Sequence, residues 1–236
     1  MTKLFAAKIA VFGIGGVGGY AVEAFARSGI GSIDLYDNDV ISLSNLNRQI
    51  HSTRKNIGAY KVDAAKERIL DINPDAIVNA HRLFYAPETS AQVDLTKYDY
   101  IIDAIDTLSG KIELAVRAHA LGVPIISAMS AGNKADATAF EVADIFDTSV
   151  CPIARAVRNR LRKRGITKLK VVYSKEPPIK PFEEMPAECA FDCDCPPGTE
   201  DGRIRRFVPG SNAFVPAVVG LIIAGEVVKD LIAQAK

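Results

Sequence analysis

With 236 residues, 48% hydrophobic and 24% charged, the chain has the composition of a globular protein with a sizeable core, which excludes a disordered tract, a collagen and a disulfide scaffold. Lys+Arg 29 against Asp+Glu 28 leaves a formal net charge of +1, and that average argues against a uniformly basic binder of polyanions. Four cysteines point to a reducing cytoplasm, and Ala213 to Gly225, interrupted by Pro216 and ended by Glu226, falls short of the roughly 20 apolar residues that a bilayer demands.

Lys8 to Phe12 (KIAVF) is a short apolar run feeding glycines, as expected of a strand buried on both faces of a parallel sheet. Gly18 to Ser28 has a helical apolar pattern, with Gly29 placed to cap it. Ser32 to Tyr36 (SIDLY) reads as a second strand, and Asp37 to His51 as a polar loop without a period. Ala59 to Ile72 sets Val62, Ala65, Ile69 and Ile72 on one helix face and stops before Pro74. Ala76 to Ala80, Tyr98 to Ile105 and Val123 to Ala128 read as further strands, with Lys111 to Leu121 as a helix capped by Gly122. This alternation predicts an α/β fold with a doubly wound, mostly parallel, Rossmann-like sheet over residues 8–145, within a single domain spanning 1–236. Residues 146–236 are less regular. Thr138 to Ile145 reads as an extra strand and Cys151 to Gly165 as a basic helix. Ser174 to Gly210, with seven of the twelve prolines and three of the four cysteines, reads as a surface excursion, and Phe214 to Ile232 as a closing apolar helix.

Gly13-Ile14-Gly15-Gly16-Val17-Gly18 fits G-x-G-x-x-G between a predicted strand and a predicted helix, where glycines let phosphate oxygens approach backbone N–H groups. Asp37 follows Gly18 by 19 residues, at the end of the second strand, where a carboxylate can bind ribose hydroxyls. These glycines alone would suit NAD. Arg48 and Lys61, however, converge on the same crevice, and two cations suit a triphosphate better than a dinucleotide. Asp103 and Asp106, from the end of the Tyr98 to Ile105 strand, add carboxylates that suggest Mg2+.

The loop Asp37 to Gln49 reads D-x-D-x-I-x-x-S-N-L-x-R-Q, and with GIGGVG, Lys61 and D-x-x-D it resembles the ubiquitin-activating-enzyme-like (ThiF/MoeB/HesA) superfamily, which adenylates carboxylates with ATP. The resemblance covers most of residues 8–145. It implies that Gly16 contacts the nucleotide and Asp37 the ribose, that Ser44, Asn45, Arg48 and Lys61 contact or position the triphosphate, and that Asp106 binds Mg2+. Asp39 and Asp103 are implied as supporting acids, and Arg48, Lys61 and Asp106 as the catalytic set. Homodimers are implied as well. Many members supply an arginine from a helix ahead of the first strand, and residues 1–7 hold none.

Asn47-Arg48-Gln49-Ile50-His51, the basic helix after Asp144-Ile145-Phe146, Val172-Tyr173-Ser174 and the stretch from Pro209 to Pro216 resemble one branch of that superfamily. Its activity is the ATP-dependent cyclising dehydration of threonylcarbamoyladenosine in tRNA. Cys151 stands before Pro152, where that branch often has aspartate. From Arg155 to Lys170 the chain holds eight cations and no acid (Arg155, Arg158, Arg160, Arg162, Lys163, Arg164, Lys168, Lys170), which leaves 21 basic against 28 acidic residues elsewhere. Contact with tRNA phosphates is the expectation there, with Arg155, Arg158, Arg162, Lys163 and Arg164 as its foremost candidates. Cys189, Cys193 and Cys195 do not match paired C-x-x-C zinc ligands; with Cys151 a zinc site is conceivable, and a reduced loop or a disulfide is an equal reading. His51 lies near enough to the loop to touch substrate, while structural roles suit His81 and His119. Rival readings are an adenylyltransferase for a ubiquitin-like sulfur carrier, with a sulfur-transfer partner protein, an NAD-dependent oxidoreductase, and a nucleotide-binding scaffold without activity.

Overall fold

The segments KIAVF and SIDLY become β1 (Lys8–Phe12) and β2 (Ser32–Tyr36), adjacent parallel strands with Lys8 opposite Ser32 and Phe12 opposite Tyr36. They belong to a computed structural model that describes residues 2–180 and 209–233. Five further strands complete its sheet: β3 (Ile77–His81), β4 (Tyr100–Asp103), β5 (Ile125–Ala128), β6 (Phe140–Asp144) and β7 (Lys170–Ser174). Their order is β3-β2-β1-β4-β5-β7-β6, parallel throughout except for β6 against β7. The order reverses between β1 and β4, and in open α/β sheets ligands bind in the crevice that such a reversal opens at the carboxyl ends of the strands.

Alternate residues of β1 serve opposite faces. Ile9 and Val11 join the core under α2 (Gly18–Arg27), α3 (Lys61–Ile72) and α6 (Val215–Ala233), with Phe25, Val62, Ile69, Val219 and Ile223. Ala10 and Phe12 face the other way, toward Tyr36, Tyr98, Ile101 and Leu114 of α4 (Leu108–Leu121). A third cluster seats α5 (Pro152–Arg162) through Ala154, Val157 and Leu161 on Val171 and Tyr173 of β7. Each fully buried Ile, Leu or Phe contributes about 1.5–3 kcal/mol of transfer free energy, so the sheet is fixed from both sides.

The expected elements agree with the structure within a few residues at each boundary. One helix was not expected, α1 (Thr2–Ala6), which buries Leu4 and carries Lys3 as its basic residue. The loop after β2 is also more regular than its sequence suggested, since it folds into tight turns at Leu43–Asn45 and Arg54–Asn56. Cys189, Cys193 and Cys195, with most of the Pro-rich excursion, lie outside the described residues. No helix among the described residues is long and apolar enough to cross a membrane.

Candidate active site

β1 runs into α2 with almost no room to spare. A Cβ placed on Gly13 (φ +88) would stand 2.6 Å from the Ala104 carbonyl oxygen, and one on Gly18 would stand 1.8 Å from the Gly13 oxygen. Neither position accepts a side chain, so the backbone turns directly into the positive end of α2. Gly15 is different. Among the described residues only Gln49 Nε2 comes within 4 Å of its ideal Cβ, at 3.9 Å, so the loop is open there to an approaching phosphate. Gly16 is flanked by Arg48 Cγ and Pro216 Cβ, each 3.2 Å from its ideal Cβ.

Asp37, just past β2, locks this loop. Its Oδ2 accepts the Ile14 N–H at 2.7 Å and its Oδ1 the Asp39 N–H at 2.8 Å. Burial pushes the Asp37 carboxyl above the usual carboxylate range, against the opposing pull of Lys61. A carboxylate has about four acceptor sites, and two remain for hydroxyl donors such as those of a ribose.

The turn at Leu43–Asn45 is held by Asn45, whose buried Oδ1 accepts the Ser42 N–H at 3.1 Å. Ser44 is exposed, with its hydroxyl 3.0 Å from that of Ser42. Arg48 folds back on this turn, donating from Nη1 to the Ser44 carbonyl at 2.9 Å and to Asn47 Oδ1 at 3.0 Å. Both acceptors are neutral, and burial holds the guanidinium below its usual pKa. A desolvated cation facing only neutral oxygens gains from any anion that reaches it. Lys61 is 6% exposed, and its Nζ lies 2.5 Å from Oδ2 of the exposed Asp39. The two are brought together by the backbone, where the Lys61 N–H donates to the Asp39 carbonyl at 3.0 Å.

The two acids at the end of β4 separate. Asp106 is exposed on the turn that follows the strand. Asp103, expected in the crevice, is 0% exposed instead, with Lys111 Nζ 3.1 Å from both of its oxygens and Ser127 Oγ donating at 2.5 Å. It also accepts the Ile105 N–H at 3.1 Å, so it shapes the turn beneath Asp106 and does not face a ligand. Lys111 itself is 4% exposed, a partner that the sequence reading did not identify. No group of three or more His, Cys, Asp or Glu side chains suited to a metal occurs among the described residues. Asp106 offers one exposed carboxylate at the end of β4, the kind of oxygen ligand that hard cations such as Mg2+ take.

Outside the crevice, Cys151 is buried as the cap of α5, its Sγ accepting the Ala154 N–H at 3.5 Å. Arg158, one of the expected nucleic-acid contacts, is half-buried. Its Nη1 points inward, to the Thr148 carbonyl and hydroxyl at 2.9 and 2.7 Å and the Ile145 carbonyl at 3.2 Å. His51 is 4% exposed beneath the first turn of α2, with neither ring nitrogen hydrogen-bonded among the described residues. Burial, then Lys61 and Arg68, pushes its pKa down to about 4. His81 stacks on Tyr36 at 4.4 Å, a structural role as expected.

Comparison with known proteins adds the following. The ThiF family model matches residues 1–236. A tRNA threonylcarbamoyladenosine dehydratase of Bacillus subtilis is 45% identical over 227 residues, 95% of this chain and 86% of its own length. The crystal structure of the Escherichia coli tRNA N6-threonylcarbamoyladenosine dehydratase with AMP superimposes with a TM-score of 0.84 at 33% identity, covering 99% of this chain and 89% of that chain. The same enzyme with ATP superimposes with a TM-score of 0.83 at 32% identity over the same shares.

Proposed function

The chain belongs to the ThiF family, and on that premise we propose that it is an ATP-dependent tRNA threonylcarbamoyladenosine dehydratase. The near full-length likeness to enzymes of that name, in a region that includes every residue of the crevice, carries this reading. ATP supplies the activation: its adenylyl group goes to the threonyl carboxylate with loss of pyrophosphate, after which a neighbouring atom of the carbamoyl unit attacks, AMP leaves and a ring closes with net loss of water.

The chain's own residues bind and orient. Gly13 and Gly18 let the backbone close on itself, and Gly15 and Gly16 offer the open side of the loop to the phosphates. Asp37 keeps acceptor sites for the ribose, while its bond to the Ile14 N–H holds the loop at one height. Arg48 and Lys61 carry the positive charge, held in place by Ser44, Asn47 and Asp39. Asp106 would hold Mg2+ against the phosphates, on a turn shaped by Asp103 and Lys111. The proposal includes a cytoplasmic homodimer, as in the superfamily at large, and needs no sulfur-transfer partner.

The test is direct. Incubated with ATP, Mg2+ and tRNA carrying threonylcarbamoyladenosine, the protein is expected to yield a nucleoside lighter by one water in mass spectrometry. An unchanged nucleoside, with pyrophosphate released only when a carrier protein ending in Gly-Gly is supplied, would overturn the reading in favour of a sulfur-carrier activator.

A further inference from the structure

Residues 209–216 are fastened to the crevice at three points. Asn133, in the loop after β5, is at φ +55, a left-handed conformation that asparagine tolerates, and there its N–H donates to the Gly210 carbonyl at 2.8 Å while its Oδ1 accepts the Gly210 N–H at 2.7 Å. Asn212 Nδ2 donates to the Lys134 carbonyl at 3.0 Å. Asn47, next to Arg48, donates to the Ser211 carbonyl at 3.1 Å, and Pro216 lies against Gly16. The segment is thus a strap that joins the loop after β5, the loop after β2 and the phosphate loop. Phe214 stands in it, between Ser211 and Pro216. Asn212 Oδ1 accepts the N–H groups of Phe214 at 3.2 Å and Val215 at 2.8 Å, which fixes the start of α6. Val215 and Pro216 are buried, whereas Phe214 is 54% exposed and packs on no other aromatic ring or cation among the described residues.

We propose that Phe214 is the platform on which the substrate's adenine base stacks while its carboxylate is activated, and that the Asn133 clasp holds this platform in register with the phosphate loop. The proposal rests on the reading that the substrate is threonylcarbamoyladenosine in tRNA, and it adds the residue that meets the base. In that nucleoside the reacting carboxylate is joined to the base through a carbamoyl unit and one carbon, a span of about 5 Å from base nitrogen to carboxyl carbon. When the carboxylate reaches the phosphates, the base therefore lies at the rim of the crevice, drawn out of the RNA stack. Unstacked bases are met by aromatic faces, because every base has a π surface to offer. Two other exposed side chains near the rim are less suited. Leu43 has no π face, and the Tyr60 ring is already covered by the Arg82 guanidinium at 4.1 Å. With the ribose of ATP at Asp37, beyond β2, and the strap tied to the loop after β5, the two adenine bases occupy different sides of the crevice.

The chain contains no tryptophan, so Phe214→Trp places a single indole in the strap and gives a readout that needs no turnover. With AMP in place of ATP, tRNA carrying threonylcarbamoyladenosine is titrated onto the full-length variant, and its fluorescence is expected to be quenched. A Phe5→Trp control, equally exposed but on α1, should not respond. In turnover, Phe214→Ala and Phe214→Leu are expected to lower kcat/KM for the tRNA about 5- to 150-fold, the range for losing one stacked base, while Phe214→Trp stays within about threefold of wild type. Melting temperature and the KM for ATP should not move in any of them. Leucine keeps the apolar area and removes only the π face. Full activity in Phe214→Leu would therefore overturn the proposal, as would an indole that is not quenched. A fall in oligomeric mass in sedimentation of Phe214→Ala, together with lost activity, would also overturn it and assign the ring to a contact between copies. Quenching by a tRNA that the wild type never dehydrates would sink the dehydratase reading and leave the platform standing.

Discussion

At the mouth of the sheet, Arg48 is half-buried and Lys61 buried, and each is tied to oxygens of the loop that follows β2. Along α5, Arg155, Arg160 and Arg162 stand in solvent, and none forms an ion pair with a described residue. The two regions hold similar positive charge for different ends. Desolvated cations act strongly but only on a group that arrives in the right place, whereas exposed ones act through a field that salt screens within about 8–10 Å. Chemistry needs the first arrangement, and capture of a large polyanion needs the second.

That contrast breaks most easily at the crevice. Arg48→Ala, or Asp106→Ala assayed with Mg2+, is expected to lower turnover by at least about 100-fold, the scale of losing one preorganised charge-stabilising group, with circular dichroism unchanged. Near-normal activity in either variant would show that the charge removed has no part in activation. Next comes the ion pair below the turn. Lys111→Met leaves Asp103 buried without its cation and should cost about 3–5 kcal/mol in urea unfolding, while adding Asp103→Leu should recover most of it. Arg160→Ala on α5 should stay within about 0.5 kcal/mol of wild type. If the two lysine and arginine variants cost the same, burial is not what separates the regions.

A separate effect concerns pH. His51 is pushed down to about 4, so between that value and its unfolded 6.5 the unfolded chain binds a proton that the folded chain does not. Its contribution to stability is therefore complete above pH 6.5 and is lost as pH falls toward 4, a difference of about 3 kcal/mol. His51→Gln should flatten the fall in urea midpoint between pH 7 and pH 4.5. An equally steep fall in the variant would mean that other groups cause it.

Much of this was legible in the residues. β1 was read at its observed limits because Ile9 to Phe12 is a continuous apolar run that ends at a glycine, a pattern that a strand buried on two faces requires, and β2 because Ile33, Leu35 and Tyr36 lie between Gly31 and the polar loop. The Asp37 to Gln49 segment announced a nucleotide loop, though not that Asn45 and Ser42 cap one another within it. α1 is too short to show a period. Lys111 escaped notice because a lysine in an amphipathic helix normally faces water, and only the fold reveals Asp103 beneath it. Arg158 could have been found. It lies four residues after Ala154 and three before Leu161, both buried, so helical spacing already placed it toward the core.

Pro216 stands beside Gly16, and α6 lies so close to α2 that a Cβ on Gly220 would be 2.4 Å from the Val17 oxygen. Loop and brace are thus far apart in the chain. At about 5–20 residues per second, the ribosome releases the glycine loop roughly 10–40 s before the helix that walls it. The glycine loop thus waits for its wall until α6 has been made.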